Sequence, residues 1–129
     1  GSKVFVIGVE NERLYEWSYK TNEWVNSGRI VQSVAVDFNN SIWTIEGNNV
    51  FRYDGKSKWE KMPGLGKAIM AGGNKLIAIA VAGDDNDKLF EWNYKTNTWV
   101  NAGRTVKSAA VDVYDNIWTV EGNSIYSFQ

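Results

Sequence analysis

Cysteine and histidine are absent from this 129-residue chain, and proline occurs once, at Pro63. The first absence excludes disulfides. Together they exclude Cys/His zinc sites and every histidine-dependent nucleophile or general base. No charge of one sign dominates either: 14 Lys and Arg stand against 15 Asp and Glu, a net charge of -1, with the basic residues scattered singly. Nucleic acid is therefore not an expected partner, since phosphate contacts call for clustered cations. No apolar run approaches the roughly 20 residues of a membrane-spanning helix, so membrane insertion is not expected, and no secretory leader is recognisable. No segment sustains a 3.6-residue apolar period between helix caps. The opening Gly1-Ser2, without Met, reads as an expression-tag remnant (residues 1–2). What is plentiful is aromatic: seven Trp, six Tyr and five Phe in a chain long enough for one packed domain.

The chain also repeats itself. Shifted by about 75 residues, its first part aligns with its last without a gap, about half of roughly 52 positions being identical. The stretch Glu16-Trp17-Ser18-Tyr19-Lys20-Thr21-Asn22 returns as Glu91-Trp92-Asn93-Tyr94-Lys95-Thr96-Asn97. Gly28-Arg29 returns as Gly103-Arg104, Ala35-Val36-Asp37 as Ala110-Val111-Asp112, and Ile42-Trp43-Thr44 as Ile117-Trp118-Thr119. Each unit divides again into pieces of roughly 35 and 40 residues, the length of a four-stranded propeller blade.

The clearest piece spans residues 31–64. Short β-branched and aromatic runs alternate there with turn formers at Asn39-Asn40, Gly47-Asn48-Asn49, Asp54-Gly55-Lys56 and Pro63-Gly64. Four antiparallel strands, A to D, are the expectation, with the last closing at Met62 before Pro63-Gly64. The other pieces, 3–28, 66–103 and 105–129, follow the same plan, the first without strand A and the last without strand D. Neighbours such as Ile42 and Trp43 are apolar on both strand faces, which suits a blade covered on both sides. The fold class expected is all-β: a β-propeller of about four four-stranded antiparallel blades, some incomplete, in one domain over residues 3–129. A sandwich or closed barrel is the alternative.

Residues 31–64 resemble a tectonin repeat, through Val34-Ala35-Val36-Asp37, Ile42-Trp43-Thr44-Ile45, Val50-Phe51-Arg52-Tyr53-Asp54-Gly55, Trp59 and Met62-Pro63-Gly64. The likeness weakens at Leu76-Ile77-Ala78, where the strand-B Trp is missing. The resemblance implies a propeller and, for many members, a lectin; others are intracellular scaffolds. On it rests the expectation of glycan binding at repeated shallow sites between blades, with multivalency from a ring. The expected contacts are Trp17, Tyr19 and Asn22, returning as Trp92, Tyr94 and Asn97: aromatic faces for sugar rings beside amides for hydroxyls. Arg29 and Arg104 join them as groups that could fork onto Glu46 and Glu121 or onto a ligand. Packing is the competing role for every Trp, and turn formation for the two Asn. Asp37 and Asp112, which end strand A, read as caps of backbone N–H groups.

Paired carboxylates could serve a glycosidase. Every candidate recurs with the repeat, whereas an active site is usually unique, so no enzymatic activity is expected. No cofactor is expected. Asp84-Asp85-Asn86-Asp87 lacks the alternation and terminal Glu of a calcium loop and reads as a solvated hairpin. The partial outer pieces lead us to expect a fragment, or a minimal or engineered repeat protein, whose copies form a homo-oligomer completing a ring. A protein-interaction scaffold or self-assembling propeller without a sugar ligand is the alternative function.

Overall fold

A computed structural model describes residues 3–55 and 58–129; Gly1-Ser2 and the Lys56 end of the Asp54-Gly55-Lys56 turn lie outside the described residues. The described residues form thirteen strands. They are β1 (Phe5–Ile7), β2 (Arg13–Ser18), β3 (Glu23–Ile30), β4 (Ser33–Val36), β5 (Ile42–Glu46), β6 (Asn49–Tyr53), β7 (Trp59–Gly72), β8 (Lys75–Ala80), β9 (Lys88–Asn93), β10 (Thr98–Thr105), β11 (Ser108–Val111), β12 (Ile117–Glu121) and β13 (Ser124–Phe128). The acidic hairpin adds one 3-10 turn, Gly83–Asp85. The hairpins close on residues in the left-handed region: Asn22, Asn48, Asp87, Asn97 and Asp115 all have positive φ, which Asn and Asp tolerate better than other side chains.

Pairing is antiparallel throughout, in the orders β1-β2-β3, β10-β9-β8-β7-β6-β5-β4 and β11-β12-β13. We group the strands into four blades. Blade 1 is β1 to β3, and blade 4 is β11 to β13. Blades 2 and 3 share β7, whose first half pairs with β6 and whose second half pairs with β8. One expectation is corrected here: Pro63-Gly64 does not end a strand. Gly64, at φ 99°, forms a bulge, so that the register slips between Val50↔Met62 and Asn49↔Leu65 while the strand continues into the next blade.

Neighbouring blades bury each other's faces. Trp43, Ile45, Val50 and Met62 of blade 2 meet Ile69, Leu76 and Trp92 of blade 3 in one apolar cluster. The other face of blade 3, through Ile77, Ile79 and Leu89, meets Val106 and Ile117 at blade 4. Sequence neighbours Leu76 and Ile77 thus enter different clusters, as period-2 alternation dictates. This layering is the propeller arrangement; the strands enclose neither a single barrel lumen nor two facing layers. Where blades 3 and 4 come closest, a Cβ on Gly72 would collide with the Val111 carbonyl, and the Asp115 carboxylate accepts from the Asn74 backbone N–H at 2.6 Å.

Candidate functional site

The candidate residues separate into three settings. Asn22 and Asn97 are exposed turn residues at φ 57° and 55°, and their backbone N–H groups donate to the Ser18 and Asn93 carbonyls at 2.8 Å. Neither lines the grooves described below. Arg29 and Arg104 are pins between blades. The Arg29 guanidinium forks onto Glu46 (2.8 and 3.0 Å), lies 3.9 Å from the Trp59 ring centroid and 5.4 Å from that of Phe51. Thr44 donates to the same carboxylate at 2.7 Å. Arg104 repeats this arrangement on Glu121 at 2.7 Å, over Phe128 and Tyr126. The hydroxyl of Thr119, and then Arg104, hold the Glu121 carboxyl below the usual carboxylate range.

The aromatic candidates are equivalent in sequence and different in place. Trp92 is 2% exposed, edge-to-face with both Trp43 (5.2 Å) and Trp99 (5.1 Å). Its indole N–H is the buried side-chain donor without an acceptor among the described residues. Tyr94 donates to Asp37 Oδ2 at 2.9 Å; burial, and then that carboxylate, push its phenol well above the usual range. Trp17 is half-buried against Trp24, and Tyr19 is exposed. Two open grooves follow the repeat. One, of about 430 Å³, is lined by Glu16, Trp17, Ser18, Tyr19, Lys20 and Val25. Its counterpart, of about 490 Å³, is lined by Glu91, Trp92, Asn93, Tyr94, Lys95 and Val100.

Two features went unread in the sequence. Asp37 caps the Asn39 and Ser41 N–H groups through Oδ1, as expected, but its Oδ2 also accepts from the Trp43 indole and the Tyr94 phenol, all at 2.9 Å. It thereby ties blade 2 to blade 3. Asp112 repeats the backbone cap and accepts from the Trp118 indole at 3.0 Å; that bond above all lowers its pKa to about 2. The second feature is a cavity of about 260 Å³ between blades 2 and 3, bordered by Gly64, Ala80, Phe90 and Trp99. Its only signal in the sequence was the break in pattern at Leu76-Ile77-Ala78. Among the described residues no cluster of acidic side chains is arranged to hold a metal ion.

No family model matches the chain, and no curated protein matches it. Solved structures do. Virginiamycin B lyase from Staphylococcus aureus superposes with a TM-score of 0.65 at 13% identity, over 98% of this chain and 52% of that one. A catalytically inactive histidine-to-alanine variant of that enzyme, with quinupristin, gives 0.59 at 12% identity over 97% and 54%. U3-55K gives 0.61 at 12% identity over 98% and 48%. The chain thus spans about half the length of the solved structures it matches. At such identities the likeness establishes the β-propeller fold, and it does not extend to the tectonin family. It does correct one expectation: the exclusion of enzymatic activity, drawn from repetition of the carboxylates, fails because propellers of this fold include a lyase, so blade repetition is no bar to catalysis.

Proposed function

We propose that this chain is a protein-interaction module that binds copies of itself head to tail, the open face of blade 4 taking the open face of blade 1. The observation that carries the reading is the opposite fate of repeated residues. Trp43 is fully buried while Trp118, its counterpart, is 45% exposed; Val50 is 1% exposed and Ile125 is 72%. On the facing side, Trp92 is buried while Trp17 is only half-covered, and Tyr19 is 63% exposed. Inside the chain, Asp37 and Trp43 meet Trp92, Tyr94 and Trp99. All five are identical in the open faces, as Asp112, Trp118, Trp17, Tyr19 and Trp24. Joining the faces would give Tyr19 a carboxylate and Trp118 two indole neighbours. A head-to-tail contact of this kind closes into a ring or extends as a fibre.

Phe38 and Tyr94, with ring centroids 4.9 Å apart, mark the internal contact, and Val113 and Tyr19 are their counterparts. One preparation of the chain carrying Tyr19→Cys and another carrying Val113→Cys should be joined by a short thiol cross-linker only when mixed. The chain has no other cysteine to interfere. A doubly substituted Phe38→Cys, Tyr94→Cys chain calibrates the reach. A mixture that stays single-chain while the calibrating pair links would end this reading.

Glycan binding is the second reading, favoured by the two repeat-related grooves, each with an aromatic wall, a carboxylate (Glu16, Glu91) and an ammonium (Lys20, Lys95), and by the tectonin-like pattern of residues 31–64. A glycan array probed with the assembled protein tests it; uniform signal across all sugars would remove it.

A further inference from the structure

The joint between blades 2 and 3 lacks what the joints on either side of it possess. Strand register equates Gly64 with Arg29, Ala80 with Glu46, Ala78 with Thr44, Phe90 with Phe51, and Trp99 with Trp59. The guanidinium, its carboxylate and the hydroxyl that steadies that carboxylate are therefore removed together, while both aromatic side chains stay. The cavity of about 260 Å³ is bordered by four of these counterparts, Gly64, Ala80, Phe90 and Trp99. Inside this one chain, the same location at blade 1/blade 2 is filled by an arginine side chain lying on two aromatic rings.

We propose that this cavity binds a small aromatic amine, its ring lying against Phe90 and Trp99 and its ammonium reaching Asp85. The chemistry follows from what was removed. A guanidinium placed here would lack the carboxylate that Glu46 offers Arg29, and an unpaired charge is costly away from water. A flat neutral body keeps the aromatic contacts without that cost. Besides the two rings and Asp85, the lining is Val50, Gly64, Leu65, Ala80, Val81 and Ala82, and the Trp99 N–H is already committed to the Pro63 carbonyl at 2.8 Å. Asp85 is the one ionic side chain on the border. It is well exposed, and its existing partner Lys88 stands at 3.9 Å, beyond hydrogen-bond distance. Leu65 of the lining is half exposed. An apolar cavity of about 150 Å³ suffices for benzene, so this one has room for a ring and a short aliphatic arm.

Phenethylamine is the probe, titrated while the Trp99 indole N–H resonance is followed by NMR. A dissociation constant on the order of 1 mM suits a ligand of this size. Butylguanidine, which can reach Asp85 but brings no ring to Phe90 and Trp99, should bind at least about tenfold more weakly. Asp85→Asn, an exposed change that spares the fold, should weaken phenethylamine severalfold and leave benzyl alcohol unaffected. Ala80→Leu, which fills the cavity, should abolish binding of both. A silent Trp99 resonance at 20-fold the expected constant (about 20 mM) would overturn the proposal. So would butylguanidine binding as tightly as phenethylamine, or indifference to Asp85→Asn.

Discussion

The joints between blades use two chemistries on one backbone plan. At blade 1/blade 2 and blade 3/blade 4 an arginine leaves the end of one blade and forks or points onto a glutamate of the next, over aromatic rings. At blade 2/blade 3 the contact is made instead by the indoles of Trp43, Trp92 and Trp99 and by the Asp37 carboxylate. The polar version is a set whose members cannot be exchanged one at a time: removing only the arginine strands a part-buried glutamate. That explains why Arg, Glu and Thr vanish together from the middle joint. The apolar version tolerates a vacancy, because a missing methylene forfeits contacts but strands no charge.

The contrast can be broken most forcefully at the indoles. Trp43→Ala should cost about 3–5 kcal/mol, read by urea unfolding, whereas Trp118→Ala in the dilute single chain should cost under about 1 kcal/mol. Equal losses would mean that exposure does not distinguish the two sites. Next comes Arg29→Ala, which leaves Glu46 without its cation and should cost about 1–3 kcal/mol. The combination Arg29→Leu with Glu46→Ala copies the middle joint and should be less destabilising than Arg29→Ala alone; a larger loss would show that the two chemistries are not interchangeable. The smallest effect concerns pH. Because the folded Asp112 has its pKa lowered from 3.8 to about 2, its contribution is present above pH 4 and is lost as pH falls toward 2. Trp118→Phe removes the main cause of the lowering, so the Asp112 carboxyl should titrate nearer its ordinary value in a carbon-detected NMR series.

Much of the fold was legible because repetition and strand alternation are local signals. Strand positions from Ser33–Val36 to Ser124–Phe128 agree with the runs of β-branched and aromatic residues, and the recurrence of Arg29 and Arg104 with Glu46 and Glu121 offered both ion pairs beside a ligand role. Pro63-Gly64 misled, because a dipeptide that usually ends a strand here makes a bulge whose continuation is decided by β8, not by its own propensity. The candidate site was legible only as a set of equivalents. Trp17 and Trp92 sit in nearly the same words of sequence, and what separates them is whether a neighbouring blade lies on top. The cavity left one trace, the break in pattern at Leu76-Ile77-Ala78, because it otherwise consists of side chains that are not there.

Strand β7, fourteen residues long and paired along one half to β6 and along the other to β8, has a dynamic consequence. Opening blade 2 or blade 3 alone would leave one half of a single strand without its partner, so their amides should surrender deuterium protection in a single cooperative step. The sheets at either end share no strand with that centre and are free to fray first.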